Sequence, residues 1–209
     1  MVLKSREPSQ LLYSLKIGDG SFVQNSTGKR FGEATYCLLI NSINLDYLVH
    51  KKTELERQGI VTTPLRNAKS GFKKDSIIYV FGTRIHNHIT QVAHLSTIEI
   101  LHKLDIQGLV YYFLDDGTYH QRKHFGHLYC NTFSDDEVEV LIDVLYKFYP
   151  QKRCTKRFDR KKDGRQYPYI YIPVVVMNEF KKDIKNFLEE NNINSLMYKV
   201  GGNTYAEKT

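Results

Sequence analysis

The chain has 209 residues, 41% of them apolar, enough for one large domain or two of about 100 residues each. Its net charge of +7 points to a polyanionic partner. No apolar run reaches the roughly 20 residues that a membrane span needs, and Lys4, Arg6 and Glu7 behind Met1 predict no signal peptide. Cys37, Cys130 and Cys154 are odd in number and widely spaced, which excludes a CxxC metal pair and a disulfide framework. That usage predicts a reducing compartment, a bacterial or phage cytoplasm or an organelle matrix.

In chain order, Ser9 caps a helix that runs to Ile17, with Leu11, Leu12 and Leu15 at helical spacing. Ser14 and Gly18, four residues apart on one face, leave room for another helix to approach. The stretch ends Gly18-Asp19-Gly20. A hairpin follows, with strands over residues 21–27 and 34–42 and a turn at Gly28-Lys29-Arg30. Val23, Asn25 and Thr27 share one face of its first strand. Asn44 caps a helix over residues 45–58, which Gly59 closes. Strands over 61–66 and 76–81 flank a basic loop that carries Arg66, Lys69, Lys73 and Lys74. A short polar helix is expected over 84–92. Another, over 97–104, is expected to lie on the surface.

The order then repeats. An apolar helix over 106–114 leads into Asp115-Asp116-Gly117, and a hairpin runs through 118–123 and 126–132. Ser134 and Glu137 form a capping box for a helix ending near Phe148. Strands over 152–158 and 167–172 flank a loop, and a last helix spans 177–191. Asp19 matches Asp116, Asn41-Ser42 matches Asn131-Thr132, and Ile78-Tyr79-Val80 matches Ile170-Tyr171-Ile172, at nearly constant offset. The pattern predicts an α+β fold of two pseudo-symmetric αββαββα halves, residues 1–95 and 96–209, each with an antiparallel sheet.

Each half thus delivers an acid, Asp19 or Asp116, at the C-terminal end of an apolar helix, where the helix dipole opposes negative charge. Gly20 and Gly117 are expected to turn the chain out through the left-handed conformation. Packing the two helices about a pseudo-two-fold axis brings the acids together. Adjacent carboxylates repel unless cations hold them. A hard divalent cation such as Mg²⁺ suits oxygen ligands, and an acid pair sharing Mg²⁺ is an arrangement that cleaves phosphodiesters. The two sheets would form a saddle whose strands fit the DNA major groove. Lys29 and Arg30, then Lys69, Lys73 and Lys74, would reach phosphates. So would Lys156, Arg157, Lys161, Lys162 and Arg165 of the second basic loop. His120 and Arg122 are further groove-facing candidates. His120, His124 and His127 do not read as a zinc site, because a turn interrupts them. Asp115 points about 100° away from Asp116 on a helix and reads as structural. Tyr111, Tyr112 and Phe113 read as packing between the halves, and Tyr169 and Tyr171 as either core or groove residues.

These residues resemble the LAGLIDADG homing endonucleases, in the monomeric form with two motifs per chain. The first motif keeps Gly18-Asp19-Gly20, with Leu12 and Leu15 at the leucine positions and Ser14 at a small position. It departs at Lys16 and Ile17. The second, Leu109 to Gly117, is similar to the intron-encoded branch, as are Tyr129-Cys130-Asn131-Thr132-Phe133-Ser134, Tyr169-Ile170-Tyr171-Ile172-Pro173 and Met197-Tyr198-Lys199. The resemblance spans about residues 9–200.

The resemblance implies metal binding by Asp19 and Asp116 and cleavage across the minor groove of a long asymmetric duplex, leaving short 3′ overhangs. It implies Mg²⁺ as cofactor, with Mn²⁺ able to substitute and Ca²⁺ binding without supporting cleavage. It places a basic residue by each scissile phosphate. Lys199 maps onto one; for the other no lysine stands at the matching place, where either His94 substitutes or the role is lost and the two strands are cut unequally. Asn41 and Asn131 would lie near the metals. The partner is double-stranded DNA, the chain a monomer. An alternative is a maturase that binds intron RNA, and another is a DNA-binding protein without catalysis.

Overall fold

The computed structural model describes residues 7–25, 34–69, 77–160 and 164–202. The first half runs α1 (Gln10–Ile17), β1 (Ser21–Gln24), β2 (Tyr36–Ser42), α2 (Leu45–Arg57), β3 (Arg66–Lys69), β4 (Ile77–Gly82) and α3 (Asn87–His94). A linking helix α4 (Thr97–Lys103) follows. The second half runs α5 (Ile106–Asp116), β5 (Gly117–His120), β6 (Phe125–Tyr129), α6 (Asp135–Phe148), β7 (Thr155–Arg160), β8 (Gln166–Ile172) and α7 (Val174–Glu190). A short 3₁₀ turn, Met197–Val200, comes last. The sheets have strand orders β1-β2-β4-β3 and β5-β6-β8-β7, and every pairing is antiparallel. The same order in both sheets is the αββαββα repeat in three dimensions.

Period-two alternation sets the faces. Leu38 and Ile40 are buried on β2, while Leu39 and Asn41 between and beyond them are exposed. On β6, Gly126 and Leu128 are buried, and Phe125, His127 and Tyr129 lie on the opposite, partly open face. Helix α2 covers the inner face of the first sheet, and α6 and α7 cover that of the second. One continuous apolar core runs through both halves, from Leu12 and Leu15 to Phe113, Leu145 and Phe180.

Helices α1 and α5 form the seam. At their start, Gln10 accepts from Asp105 N–H at 3.0 Å and donates to Lys103 O at 3.0 Å. At their end, Asp116 Oδ2 lies 3.1 Å from the place a Cβ on Gly18 would take. The two helices therefore run parallel, start beside start and end beside end. Ser14 is fully buried in α1, and Gly18, four residues on, lets Tyr112 and Asp116 come close, as their small size predicted.

Several expectations need correction. Gly20 and Gly117 are not left-handed; among the described glycines only Gly59, Gly164 and Gly201 have positive φ. Gly117 is extended, with φ −95°. Space is the reason for glycine at both places. A Cβ on Gly20 would sit 2.4 Å from Leu15 O, and one on Gly117 2.4 Å from Phe113 Cδ2 and 2.5 Å from Phe113 O. Helix α4 lies on the surface with only one side: Ile98, Glu99, His102 and Lys103 are exposed, while Ile100 and Leu101 are fully buried against α1 and α6. β3 starts at Arg66, because Pro64 has no N–H to donate and only Thr62 bridges to Thr83 before it. α3 starts at Asn87, after that bridge. β7 starts at Thr155, since Arg153 is tied to Glu139 and Asp143 on α6. α7 starts at Val174, because Pro173, with φ −68°, is preset to open a helix.

Gly117→Ala should cost about 1–3 kcal/mol, the range for forced overpacking. Urea unfolding would measure it, and a loss near zero would show that the Phe113 contact can yield freely.

Candidate active site

The parallel seam brings the predicted acids together. Asp116 is the last residue of α5, and Asp19 follows the end of α1. The Asp116 carboxyl has its pKa raised from 3.8 to about 7, first by desolvation and then by the charges of Asp19 and Asp115. Asp19 is shifted up too, by desolvation first and then by Asp115. Water reaches Asp19 more freely, so burial weighs more on Asp116. The two acids are coupled and titrate as a pair.

Two lysines answer this negative charge. Lys51, on α2, places Nζ 2.6 Å from Asp115 Oδ1, with the two side chains 1% and 3% exposed. Its ammonium also lies 4.2 Å from the Tyr47 ring centre. This buried pair joins the first half to the second. Lys199 comes from the 3₁₀ turn and is buried as well. Its Nζ donates to Leu114 O at 2.7 Å and Gly117 O at 2.9 Å, with longer contacts to Asp115 O and Phe113 O. It is therefore a cap on the carbonyl end of α5, where a cation is favoured. Desolvation lowers its pKa, and the charges of Asp115, Asp116 and Asp19 oppose that shift.

Beside this centre a cavity of about 300 Å³ opens between Asp116, Thr118, Tyr129, Asn131, Tyr198 and Lys199. Asn131 thus shares a wall with Asp116. Asn41 is exposed on the outer face of the first sheet, paired across to Val80. A larger groove of about 770 Å³ lies between α2 and the chain after α7, but neither Asp19 nor Asp116 lines it.

His94 is not brought to the acids. Its Nε2 lies 3.2 Å from Ala34 O and its ring stands edge-on to Tyr36. Tyr36 pairs with Gln24, whereas Ser21, next to Gly20, pairs with Leu39. Three residues of strand, about 10 Å, separate those rungs. Val23 is exposed on β1, and Asn25 bonds Thr35 O through its N–H at 2.8 Å. Lys69 is exposed at the end of β3. Lys156 and Arg157 take opposite faces of β7. Lys156 turns to Asp135 at the start of α6, at 2.7 Å, and Arg157 lies over the Tyr171 ring. Arg122 is exposed at the hairpin turn, and Arg165 stands near Tyr167. His120 Nε2 meets His127 Nδ1 at 3.3 Å, while His124 bonds the Tyr119 hydroxyl at 2.8 Å. Thr27, Lys29, Arg30, Lys73, Lys74, Lys161 and Lys162 lie outside the described residues.

Lys51 escaped the sequence reading, although it left a signal. Tyr47, Leu48, Lys51 and Leu55 share the buried side of α2, so a lysine stands at a core position. Such a cation must have a partner.

The donors fit a hard divalent cation held partly by substrate. Two carboxylates converge, a third acid has a buried oxygen, Asp115 Oδ2, without a hydrogen-bond partner, and both nearby lysines are already bonded. Among the described residues no three His, Cys, Asp or Glu side chains close a metal cage. Mg²⁺ takes such sites, using one or two carboxylates and completing its shell with water and phosphate oxygens.

The sequence profile of the LAGLIDADG DNA endonuclease family matches residues 15–180, and the chain belongs to that family. Solved structures share the fold. The homing endonuclease I-WcaI bound to its DNA recognition sequence aligns with a TM-score of 0.66 at 19% identity, over 95% of this chain and 89% of that one. I-DmoI in complex with DNA and Mn aligns at 0.56 and 12%, over 84% of this chain and 94% of the other. Full-length DUF199/WhiA from Thermatoga maritima aligns at 0.51 and 10%, over 95% and 64%. No curated protein matches the chain in sequence.

Two predictions follow from the charges. Between pH 3.8 and about 7 the folded protein holds a proton on Asp116 that the unfolded chain has released. The stability of the metal-free protein therefore falls as pH rises through that window. Urea midpoints in EDTA should be lower at pH 8 than at pH 5, and Asp116→Asn should flatten the difference. Lys51→Met leaves Asp115 buried and unpaired, and should cost about 3–5 kcal/mol. Adding Asp115→Leu should restore part of that loss in the same urea assay; a double variant no better than the single one would deny the pair this role.

Proposed function

We propose that the chain is a site-specific DNA endonuclease that hydrolyses both strands of a long, asymmetric duplex using divalent metal. The convergence of Asp19 and Asp116 at the seam, between two sheets with open outer faces, is the observation that carries this reading. A saddle of two sheets spans one duplex, and because the halves differ in sequence, the two half-sites differ too.

Asp19 and Asp116 would hold Mg²⁺, or Mn²⁺ in its place; Ca²⁺ would bind and leave the DNA uncut. The bound metal supplies a water of lowered pKa and stabilises the leaving oxygen. Asn131 and Tyr129 line the cavity beside Asp116 and can orient water or a phosphate oxygen there. Lys199 keeps the end of α5 in place through the Leu114 and Gly117 carbonyls, and so positions Asp116. The acids lie where the two sheets meet, so the cuts fall in the middle of the site, and short 3′ overhangs would result from cleavage across the minor groove. The chain contains both acids and would act as a monomer.

The test is a randomised duplex library incubated with Mg²⁺, with Ca²⁺ as a control and the ends read by sequencing. One enriched long site with offset cuts is expected. Asp19→Asn and Asp116→Asn should each lower cleavage by at least a hundredfold and keep binding to that site in Ca²⁺. Undiminished cutting by both variants would overturn the assignment of the acids.

A further inference from the structure

The outer faces of the two sheets differ in chemistry. On the first sheet, Leu39, Ile78 and Val80 face outward beside Asn41, an aliphatic surface edged by the exposed Arg66 of β3 opposite Val80 and without an aromatic ladder among these residues. On the second, β6 turns Phe125, His127 and Tyr129 outward, and Tyr169 and Tyr171 of β8 stand opposite them. Their rings form a continuous ladder: Phe125 to Tyr171 at 5.2 Å, His127 to Tyr169 at 4.4 Å, Tyr129 to Tyr169 at 6.1 Å.

Among the described residues two cations stand against rings of this face: Arg165, 5.8 Å from the centre of the Tyr167 ring at its margin, and Arg157 within the ladder. Arg157, on β7, is opposite Tyr169 in the register and diagonal to Tyr171. Its guanidinium carbon is 3.9 Å from the centre of the Tyr171 ring. The other basic residues nearby are occupied: Lys156 with Asp135, Arg153 with Glu139 and Asp143. Among the described residues no carboxylate pairs with Arg157. A guanidinium over a ring at that distance is restrained by the contact, while its N–H donors, which lie in the plane of the fork, stay able to bond elsewhere. That fork matches O6 and N7 of guanine in the major groove. His127, next to it, has its pKa lowered to about 4, by desolvation first, then by His120 and Arg157. It is therefore neutral at physiological pH and adds a hydrogen-bonding edge without adding charge. This face is suited to reading base edges, where a mobile lysine at a sheet margin would track phosphates.

We propose that Arg157, oriented by the Tyr171 ring, reads a guanine in the half-site under the β5–β8 sheet. Arg157 then sets specificity at one base pair, and Tyr171 is its positioning residue. The assignment rests on the DNA-cleaving reading above.

Binding-site selection from a randomised duplex pool in Ca²⁺ tests it, with wild type, Arg157→Lys, Arg157→Gln and Tyr171→Leu in parallel. The wild-type motif should show a strongly preferred guanine in that half-site. Arg157→Lys keeps the charge and loses the fork, and should reduce the preference at that one position about tenfold or more while leaving the others unchanged. Arg157→Gln should do the same, and Tyr171→Leu should weaken the same position only. Thermal melts confirm that each variant folds, and Arg157, being exposed, should melt as wild type when replaced. A motif unchanged in Arg157→Lys overturns the proposal. So does a uniform loss of affinity in Arg157→Gln with a salt slope smaller by about 1, the mark of a phosphate contact. If the wild type itself enriches no motif, the site-specific reading fails, and this inference fails with it.

Discussion

Two helices packed in parallel, with both C-terminal ends at the same point, govern this molecule. Parallel packing adds the negative ends of two helix dipoles, and the chain then places an acid at each. Asp19, Asp116 and the neighbouring Asp115 gather where folding alone would exclude them. Much of the surrounding structure reads as compensation. Lys199 caps the carbonyls of α5, and Lys51 is buried from α2 to neutralise Asp115. Gly18 and Gly20 give up side chains so that backbone and carboxylate can come close. A divalent cation held there, as proposed, would remove a cost that the fold otherwise bears.

The same seam explains why the halves cannot be treated as two beads. The apolar core is continuous through both, and polar links cross it as well. Lys51 reaches Asp115 from the first half, and Asp46, at the start of α2, accepts from Ser195 N–H near the end of the chain at 2.9 Å. Such links hold the acids in register with the sheets. A shift of one ångström between halves would move Asp19 relative to Asp116, and metal-assisted chemistry tolerates little of that.

Much of the fold was legible because it rests on short-range rules. Period-two alternation, the capping box of Ser134, and the matched landmarks of the repeat are local signals. The acids were legible for the same reason: each stands at a fixed place in a motif. Long-range partnerships were not. That Lys199 would bond to three carbonyls of α5 and to that of Gly117 depends on where the chain's last turn lands. That Lys156 would turn inward to Asp135 while Arg157 turns outward depends on which edge of β7 meets α6. Gly117 was assigned the right residue for the wrong reason: its neighbours forbid a side chain, and its φ is ordinary. α4 looked peripheral because it is short, and one side of it is exposed, but at the joint between the halves its other side is buried against two helices.

Duplication and divergence have left the halves unequal in a consistent direction. Strand order is the same in both sheets, so the scaffold keeps its symmetry. The cations do not: Lys51 and Lys199 make their bonds at the end of α5, although the charges of both also reach Asp19 at the end of α1. The outer faces have diverged as well, aliphatic on one sheet and aromatic on the other. Symmetry survives where packing of one core demands it, in strand order and seam helices. It is lost on the outer faces of the sheets, as the proposed asymmetric duplex, with two different surfaces to match, would require. The two carboxylates stand in unequal environments, with Asp19 exposed and Asp116 half-buried and the more strongly shifted. The two strands of a bound duplex would therefore meet a tightly braced half-site at α5 and a more open one at α1, and cleavage of the strand served by α1 should be the more sensitive to metal concentration.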